Sequence, residues 1–326
     1  MLRKKRLLSA LIILLVGAAA LAVANSSGLW GSGGGDPRLL AHRGIAQTFP
    51  LDGVEHDTCT ATRIHPPDHA YIENTLPSMR AGFAAGADML EIDVQLTADD
   101  ELAVFHDATL DCRTDGTGKV RQHTLAALRR LDLGHGYTAD GGATYPLRGK
   151  GKGLLLTVPE VVAAFPGREL LLDLKHDDAV EGERLAAYLG TLPPERLATI
   201  GVYGGDAPVD AVRAALPGVR AASKKTMKDC LVRYLATGWS SRVPGACRNT
   251  ELHLPERYGR WLWGWPNLFT DRMAEAGTRV VLVAGEGPWS AGFDRPEDLA
   301  EVPGGWSGWL WTNRADVVAP LVRPGP

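Results

Sequence analysis

The six residues Met89-Leu-Glu-Ile-Asp-Val94 constrain the fold more than any other stretch, because they form an apolar run of strand length that carries two carboxylates. Side chains along a strand alternate faces, so Glu91 and Asp93 project to one side and Ile92 and Val94 to the other. Two carboxylates side by side on a buried strand repel each other and are tolerable only when a cation or strong donors neutralise them. The spacing therefore points to a hard metal with oxygen ligands, the other placement of Glu-x-Asp being an edge strand with a solvated acidic face. A second apolar run at residues 102–105 ends in His106-Asp107, which favours the chemical reading.

Around this pair the chain alternates short apolar runs with longer segments of helical spacing. Candidate strands lie at residues 39–42, 89–94, 102–105, 169–174, 198–202, 219–222, 250–254 and 279–283, with Ala- and Leu-rich helical stretches such as 76–85, 182–189 and 268–276 among them. Eight strands with mostly helical crossovers predict an α/β fold, a (β/α)8 barrel of the TIM type over residues 37–326. Two segments exceed a minimal barrel: a small insertion at about 45–72 after strand one, and a Gly-rich subdomain at about 108–166 between strands three and four. Both follow the carboxyl ends of strands, where barrel enzymes keep their sites. The 326 residues, 45% hydrophobic and 22% charged, suffice for a substantial core. A net charge of −3 provides no global basic field, so nucleic acid is a poor candidate partner.

The motifs His42-Arg43-Gly44, Glu73-Asn74-Thr75, Glu91-Ile92-Asp93 and His106-Asp107 occur in that order within about eighty residues. This series resembles the glycerophosphodiester phosphodiesterase family, as do the continuation Leu110-Asp111, Arg113-Thr114, Gly116-Thr117-Gly118 and Thr124-Leu125. The resemblance is dense over residues 39–134, returns at 171–175 and is thin beyond; it implies the same barrel fold. It further implies one divalent cation, Ca²⁺ or Mg²⁺, held by Glu91, Asp93 and Asp173. Asp173 and Lys175 share a strand face; the family carries Glu-x-Lys there, so Asp173 is one methylene short of the pattern. Zinc is disfavoured, since both histidines have other work.

By the same resemblance His42 is the base that deprotonates the nucleophile and His106 the acid that protonates the leaving alcohol, although spacing alone does not distinguish the two roles. The family's route runs through a cyclic phosphate formed by the glycerol 2-hydroxyl and then opened by water. Arg43 and Lys175 would bind the phosphate, Arg43 with both arms of its fork. Glu73 would brace Arg43 or His42, Asn74 would hold its loop, and Asp107 would orient His106 or merely cap a turn. The family commonly has Trp-Thr in strand eight, which is missing from residues 279–284; instead residues 308–316, GWLWTNRAD, resemble its closing segment.

Residues 1–24 differ in kind from the rest. Arg3-Lys4-Lys5-Arg6 precedes an apolar run to Val23, and Ala22-Val23-Ala24 offers a small-x-small cleavage site, so the segment reads as a signal peptide or an uncleaved membrane anchor. The Gly/Ser-rich residues 25–36 read as a flexible linker. The protein is then exported, secreted or tethered to the outer face of the cytoplasmic membrane. An even count of four cysteines in an exported chain favours disulfides, and of three connectivities Cys59 with Cys112 and Cys230 with Cys247 is expected, because each pair then pins loops.

The bland explanation suits several other residues. His56, His65 and His69 with Asp57 and Asp68 read as a solvated polar loop rather than a second metal site, and His253 as a hydrogen-bonded core histidine. Trp261, Trp263 and Trp265 either wall a lipid-like group or pack a loop.

The resulting expectation is a monomeric, metal-dependent phosphodiesterase that hydrolyses small glycerophosphodiesters to glycerol 3-phosphate and an alcohol. Its alternatives are a phospholipase D-like enzyme that cuts lysolipid or sphingolipid headgroups via a cyclic phosphate, with a membrane lipid as partner, and an inactive surface-binding barrel.

Overall fold

A computed structural model describes residues 2–55, 58–285 and 291–323. His56, Asp57 and Trp289 lie outside the described residues. Eight parallel strands form the barrel: β1 (Arg38–His42), β2 (Met89–Leu96), β4 (Glu169–Leu174), β5 (Ile200–Gly204), β6 (Arg220–Ser223), β7 (Glu251–Pro255), β8 (Arg279–Val283) and β9 (Trp309–Thr312). They follow one another as β6-β5-β4-β2-β1-β9-β8-β7. The ring closes between β6 and β7, where Ala221 N donates to Asn249 O (3.3 Å) and Thr250 Oγ1 to Ala221 O (3.0 Å).

The expected third barrel strand at residues 102–105 is corrected. β3 (Leu102–Val104) pairs antiparallel with β2, Val94 opposite Val104 and Leu96 opposite Leu102. The connection between them is only residues 97–101, a length that suits a hairpin, whereas a parallel neighbour needs a crossover of a dozen residues or more. The remaining place in the ring is taken by β9, parallel to both β1 and β8. Trp311-Thr312 therefore lies in the eighth strand of the barrel, where the resemblance led one to expect a Trp-Thr pair, and the apparent departure at residues 279–284 came from counting β3 as a barrel strand.

Period two sorts each strand. Leu90, Ile92 and Val94 of β2 join Leu170, Leu172 and Leu174 of β4 in the apolar layer beneath the outer helices. The interior is filled by Leu40, Met89, Leu171, Val281, Val283, Trp309 and Trp311, with Tyr203 packed against them. Glu91, Asp93 and Asp173 face that interior above the apolar plug.

The two insertions share one small core in which Ala61, Ile64 and Ile72 of the first pack with Leu110, Val120, Leu128 and Tyr137 of the second. They thus form a single cap, stitched by a Cys59–Cys112 disulfide; the second disulfide joins Cys230 to Cys247, so both expected pairings are present. At the N-terminus a helix spans Leu2–Ala24. Residues 25–32, read as part of a linker, contact the barrel's outer helix Asn267–Glu275: Ser27 Oγ accepts from Asn267 N (2.9 Å), and Ser32 N donates to Asp271 Oδ2 (2.7 Å). Among the described residues no helix is long and apolar enough to cross a membrane.

Candidate active site

The register of β1, β2 and β4 sets the geometry. His42 stands opposite Glu91, and Asp93 opposite Asp173, so side chains of three adjacent strands enter the barrel mouth together. One oxygen from each of Glu91, Asp93 and Asp173 lies within 4.8 Å of the others, and among the described residues this is the one group of acids, histidines or cysteines able to hold an ion. His65 and His69 instead bond Thr48 Oγ1 and Gln47 Nε2, both at 3.0 Å.

The electrostatics of the trio are unequal. Burial, then Asp93 and Asp173, push the Glu91 carboxyl well above the usual carboxylate range. Asp173 is raised by burial and by Asp93, against the pull of Lys175. Burial opposes the Asp93 charge too, but Arg43 and Lys175 outweigh it and hold that carboxyl well below its ordinary value. Arg43 Nε sits 3.0 Å from Asp93 Oδ2, while Lys175 Nζ lies 3.2 Å from Asp93 Oδ1 and 3.1 Å from Asp173 Oδ2.

Glu91 Oε1 and Asp93 Oδ1 are buried without a hydrogen-bond donor, the Lys175 contact on Asp93 being ionic rather than a well-aligned hydrogen bond. Buried carboxylate oxygens with unspent lone pairs and a surplus of negative charge fit a hard divalent cation, as the sequence suggested.

The backbone around Arg43 is bent to serve the site. Arg43 and Asn74 are both left-handed, each with φ 59°, and the next residue, Gly44, has φ 87°. A Cβ on Gly44 would come within 2.6 Å of the Ser78 backbone, so only glycine fits the turn. The turn lets Arg43 N donate to Glu91 Oε2 (3.2 Å) and Arg43 Nη1 to Glu73 Oε1 (2.7 Å). Asn74 clasps Asp93 twice, Nδ2 donating to Oδ2 at 2.7 Å and Oδ1 accepting from the Asp93 N–H at 3.3 Å. Its part is thus to orient an acid as well as its own loop.

His106 arrives from the hairpin. β3 descends beside β2 until Phe105 N bonds Asp93 O (3.1 Å), and the inward Gln95 amide donates to Phe105 O (2.8 Å) and Asp107 O (2.9 Å). His106 Nδ1 bonds Asp107 Oδ1 at 2.6 Å. Asp107 does more than cap a turn: Arg113 Nε donates to its Oδ2 (2.9 Å). The same guanidinium reaches Glu73 Oε2 (2.9 Å), Tyr137 Oη (2.7 Å) and Thr60 Oγ1 (2.7 Å). A continuous line of ionic contacts therefore runs His106, Asp107, Arg113, Glu73, Arg43, Asp93. Burial, then Arg43 and Lys175, lower the His106 imidazole to about 4. Burial, then Arg43, also hold His42 well below its ordinary value.

Residues 42–187 match the family model described as the glycerophosphoryl diester phosphodiesterase family. This stretch of the chain is similar to that family. A glycerophosphodiester phosphodiesterase of Caldanaerobacter subterraneus subsp. tengcongensis is 45% identical over 96 residues, 29% of this chain and 30% of the relative. One of Bacillus subtilis is 35% identical over 123 residues, 36% of this chain and 41% of the relative. The chain thus aligns with about a third of the length of the curated relatives it matches.

Among solved structures, the glycerophosphoryl diester phosphodiesterase domain of an uncharacterized Mycobacterium tuberculosis protein superposes with a TM-score of 0.59 at 18% identity, covering 89% of this chain and 100% of that one. An Oleispira antarctica phosphodiesterase in complex with the product sn-glycerol-3-phosphate gives a TM-score of 0.56 at 17% identity, covering 88% of this chain and 97% of that one. At such identities the likeness shows the shared barrel fold.

All ten candidate residues of the sequence reading, His42, Arg43, Glu73, Asn74, Glu91, Asp93, His106, Asp107, Asp173 and Lys175, are joined by the contacts above. Arg113 was noticed only as part of a motif; an arginine six residues beyond a His-Asp pair was the available signal. Asn313 and Asp294 were missed: His42 Nδ1 lies 2.7 Å from Asn313 Oδ1, and Asn313 Nδ2 donates to Asp294 Oδ2 (2.7 Å). Trp311 packs against His42 with the rings tilted by 40° and their centroids 4.5 Å apart. His253 faces the interior between Tyr203 and Trp311. A cavity of about 530 Å³ opens from His42 and Arg43 past Asn313 to Phe49 and Leu51 of the first insertion; Glu91, Asp93, His106, Asp173 and Lys175 are not among the residues that line it.

Proposed function

We propose that this protein is a metal-dependent phosphodiesterase that hydrolyses glycerophosphodiesters to glycerol 3-phosphate and an alcohol. The observation that carries this reading is the meeting of three acids, two of them buried with oxygens that receive no donor, beside two imidazoles whose Nδ1 atoms are already engaged. Glu91, Asp93 and Asp173 would hold Ca²⁺ or Mg²⁺. A cation bound there supplies Lewis-acid stabilisation to the charge that grows on a phosphate oxygen during displacement.

The remaining work belongs to the chain. Arg43 and Lys175 place positive charge beside the phosphate. The Nε2 of His42 takes the proton of the attacking hydroxyl, and the Nε2 of His106 donates one to the departing alkoxide, which leaves as the alcohol. When the glycerol 2-hydroxyl is the nucleophile the first product is a cyclic phosphate; water opens it with the two imidazoles in exchanged roles. The cavity beside His42 and Arg43, whose lining also includes Phe49 and Leu51, is large enough for a small diester.

A second reading, cleavage of a lysolipid headgroup, draws on Trp261, which is 69% exposed. Its neighbours weaken it: Trp265 packs on Trp306 with centroids 5.3 Å apart, and Trp263 Nε1 bonds Leu235 O (3.0 Å). We further infer export, with the Leu2–Ala24 segment as the targeting signal; two disulfides are consistent with an oxidising compartment.

The test incubates the purified full chain with glycerophosphocholine, glycerophosphoglycerol and lysophosphatidylcholine, each with Ca²⁺, Mg²⁺ or a chelator. Free glycerol 3-phosphate formed only with a cation supports the proposal. Cyclic phosphate or lysophosphatidate as the end product transfers support to the lipid reading, and no turnover of any substrate would leave a binding barrel.

A further inference from the structure

We propose that Asp294 and Asn313 act as a positioning pair that fixes the tautomer of His42, placing its proton on Nδ1 and its lone pair on Nε2, toward the acid cluster. A neutral imidazole has one donor nitrogen and one acceptor, and whatever faces the first decides the second. Here the partner of Nδ1 is the Asn313 side-chain oxygen at 2.7 Å, while Nε2 looks toward Glu91 Oε2 at 3.8 Å. An amide presents either oxygen or nitrogen, so its own orientation must be set by something else.

That something is Asp294. Its carboxylate receives the Asn313 backbone N–H at Oδ1 (2.7 Å), the Thr312 hydroxyl at Oδ1 (3.2 Å) and the Asn313 side-chain NH₂ at Oδ2 (2.7 Å). An ionised carboxylate only accepts, so the NH₂ of Asn313 must turn to Asp294 and its oxygen to His42. With an acceptor at Nδ1, the imidazole proton resides there.

The support is built in behind it. Asp294 N is tied to Asp298 Oδ2 (3.0 Å), and Phe293 N bonds Trp311 O (2.8 Å), which holds the Asp294 segment along β9. Gly292 leaves room for the pair, since a Cβ there would stand 2.4 Å from Asp294 Oδ1 and 2.7 Å from Asn313 Nδ2. The Trp311 ring packs against the imidazole at a tilt.

The two histidines are thereby set up differently. His106 rests on the Asp107 carboxylate and His42 on a neutral amide, so the two rings are oriented by different kinds of partner. A lone pair on Nε2 is what the base role of His42 requires, a role that rests on the phosphodiesterase reading above, whereas the tautomer itself does not.

The experiment records long-range ¹H–¹⁵N correlations of the histidine-labelled full chain without added cation, the His42 signals being assigned by their loss in His42→Gln. A protonated Nδ1 and a bare Nε2 are expected for His42, with both nitrogens moving toward values of mixed tautomers in Asn313→Ala and Asp294→Asn. Turnover of glycerophosphocholine by those variants should fall about 10–100-fold in kcat, the range for losing the group that orients a reactive histidine, with KM changed less than about threefold. The exchanged pair, Asp294→Asn with Asn313→Asp, keeps an acceptor at Nδ1 and a donor behind it, and should restore the tautomer and most of kcat. A proton found on Nε2 of wild-type His42, or a tautomer unmoved in both single variants, overturns the proposal. If the wild-type chain turns over no glycerophosphodiester while the tautomer is as stated, the functional reading fails and the positioning pair stands.

Discussion

The site has two halves with different construction. The barrel half, with His42 on β1, Glu91 and Asp93 on β2 and Asp173 on β4, is positioned by parallel strand register. The cap half, with Glu73, His106, Asp107 and Arg113, lies outside the strands and is positioned by side chains and by the Cys59–Cys112 bond. The barrel half is electrostatically incomplete, with Glu91 pushed toward its protonated form and oxygens left without donors. The cap half is complete: burial opposes the charges of Glu73 and Asp107, but Arg113 outweighs it and holds both carboxyls below their usual range. On the function proposed above, one half would receive the cation and the other would orient His106.

This contrast is broken most directly by removing the imidazole from each half. His42→Ala and His106→Ala should each lower kcat by at least about a hundredfold, the usual loss for a general acid or base. Neither should weaken Ca²⁺ or Mg²⁺ binding, followed by calorimetry, because neither removes a carboxylate. Near-normal turnover in one variant would mean that only one half does proton chemistry.

Arg113 tests the cap half alone. It is 3% exposed and joins Asp107 to Glu73. Arg113→Lys keeps the charge but cannot span both carboxylates and the Thr60 hydroxyl, so kcat should fall about 10–100-fold as His106 loses its fixed partner. Arg113→Ala removes the arginine partner of buried Glu73 and part-buried Asp107 and should cost about 3–5 kcal/mol in urea unfolding. Because the folded-state carboxyls of Glu73 and Asp107 are depressed, their contribution to stability is full above the unfolded value near 4 and is lost as pH falls further. Thermal unfolding should therefore show the wild type losing stability below about pH 4 more steeply than Arg113→Ala, which has less of that contribution to lose. Equal slopes would mean that Arg113 does not hold these carboxyls ionised.

The two halves were also unequally legible in the sequence. Period two was enough for the barrel half, since Glu-x-Asp and Asp-x-Lys in apolar runs must present their polar members to one face. It also misplaced β3, because residues 102–105 have the composition of a barrel strand and only the five-residue connection before them reveals a hairpin. β9 was passed over since its WLWT carries no charge to draw attention. The cap half was readable as motifs but not as a network: Thr60 and Glu73 reach Arg113 from 53 and 40 residues away, and no local pattern encodes such a contact. Least legible was the His42–Asn313 pair, 271 residues apart, which exists only because the last strand closes beside the first.

The disulfides sharpen the contrast with the smallest expected effect. Cys59–Cys112 spans 53 residues and lies one residue from both Thr60 and Arg113, whose side chains bond each other at 2.7 Å. Replacing both cysteines by serine should lower stability by about 2–4 kcal/mol and also lower kcat, since the cap then loses the tie that holds Arg113 against the first insertion. Cation affinity at Glu91, Asp93 and Asp173 should be unchanged. Cys230–Cys247 spans 17 residues and joins the helix Lys224–Thr237 to the segment before β7, in contact with none of the site residues. The corresponding double serine variant should lose stability on a similar scale but leave kcat and KM within about twofold of wild type, because the chain-entropy contribution of a crosslink depends on loop length only logarithmically. The comparison turns on kcat at a temperature where both variants remain folded. Equal losses of kcat in both would mean that the first disulfide acts only through global stability, and that the cap half holds Arg113 without it.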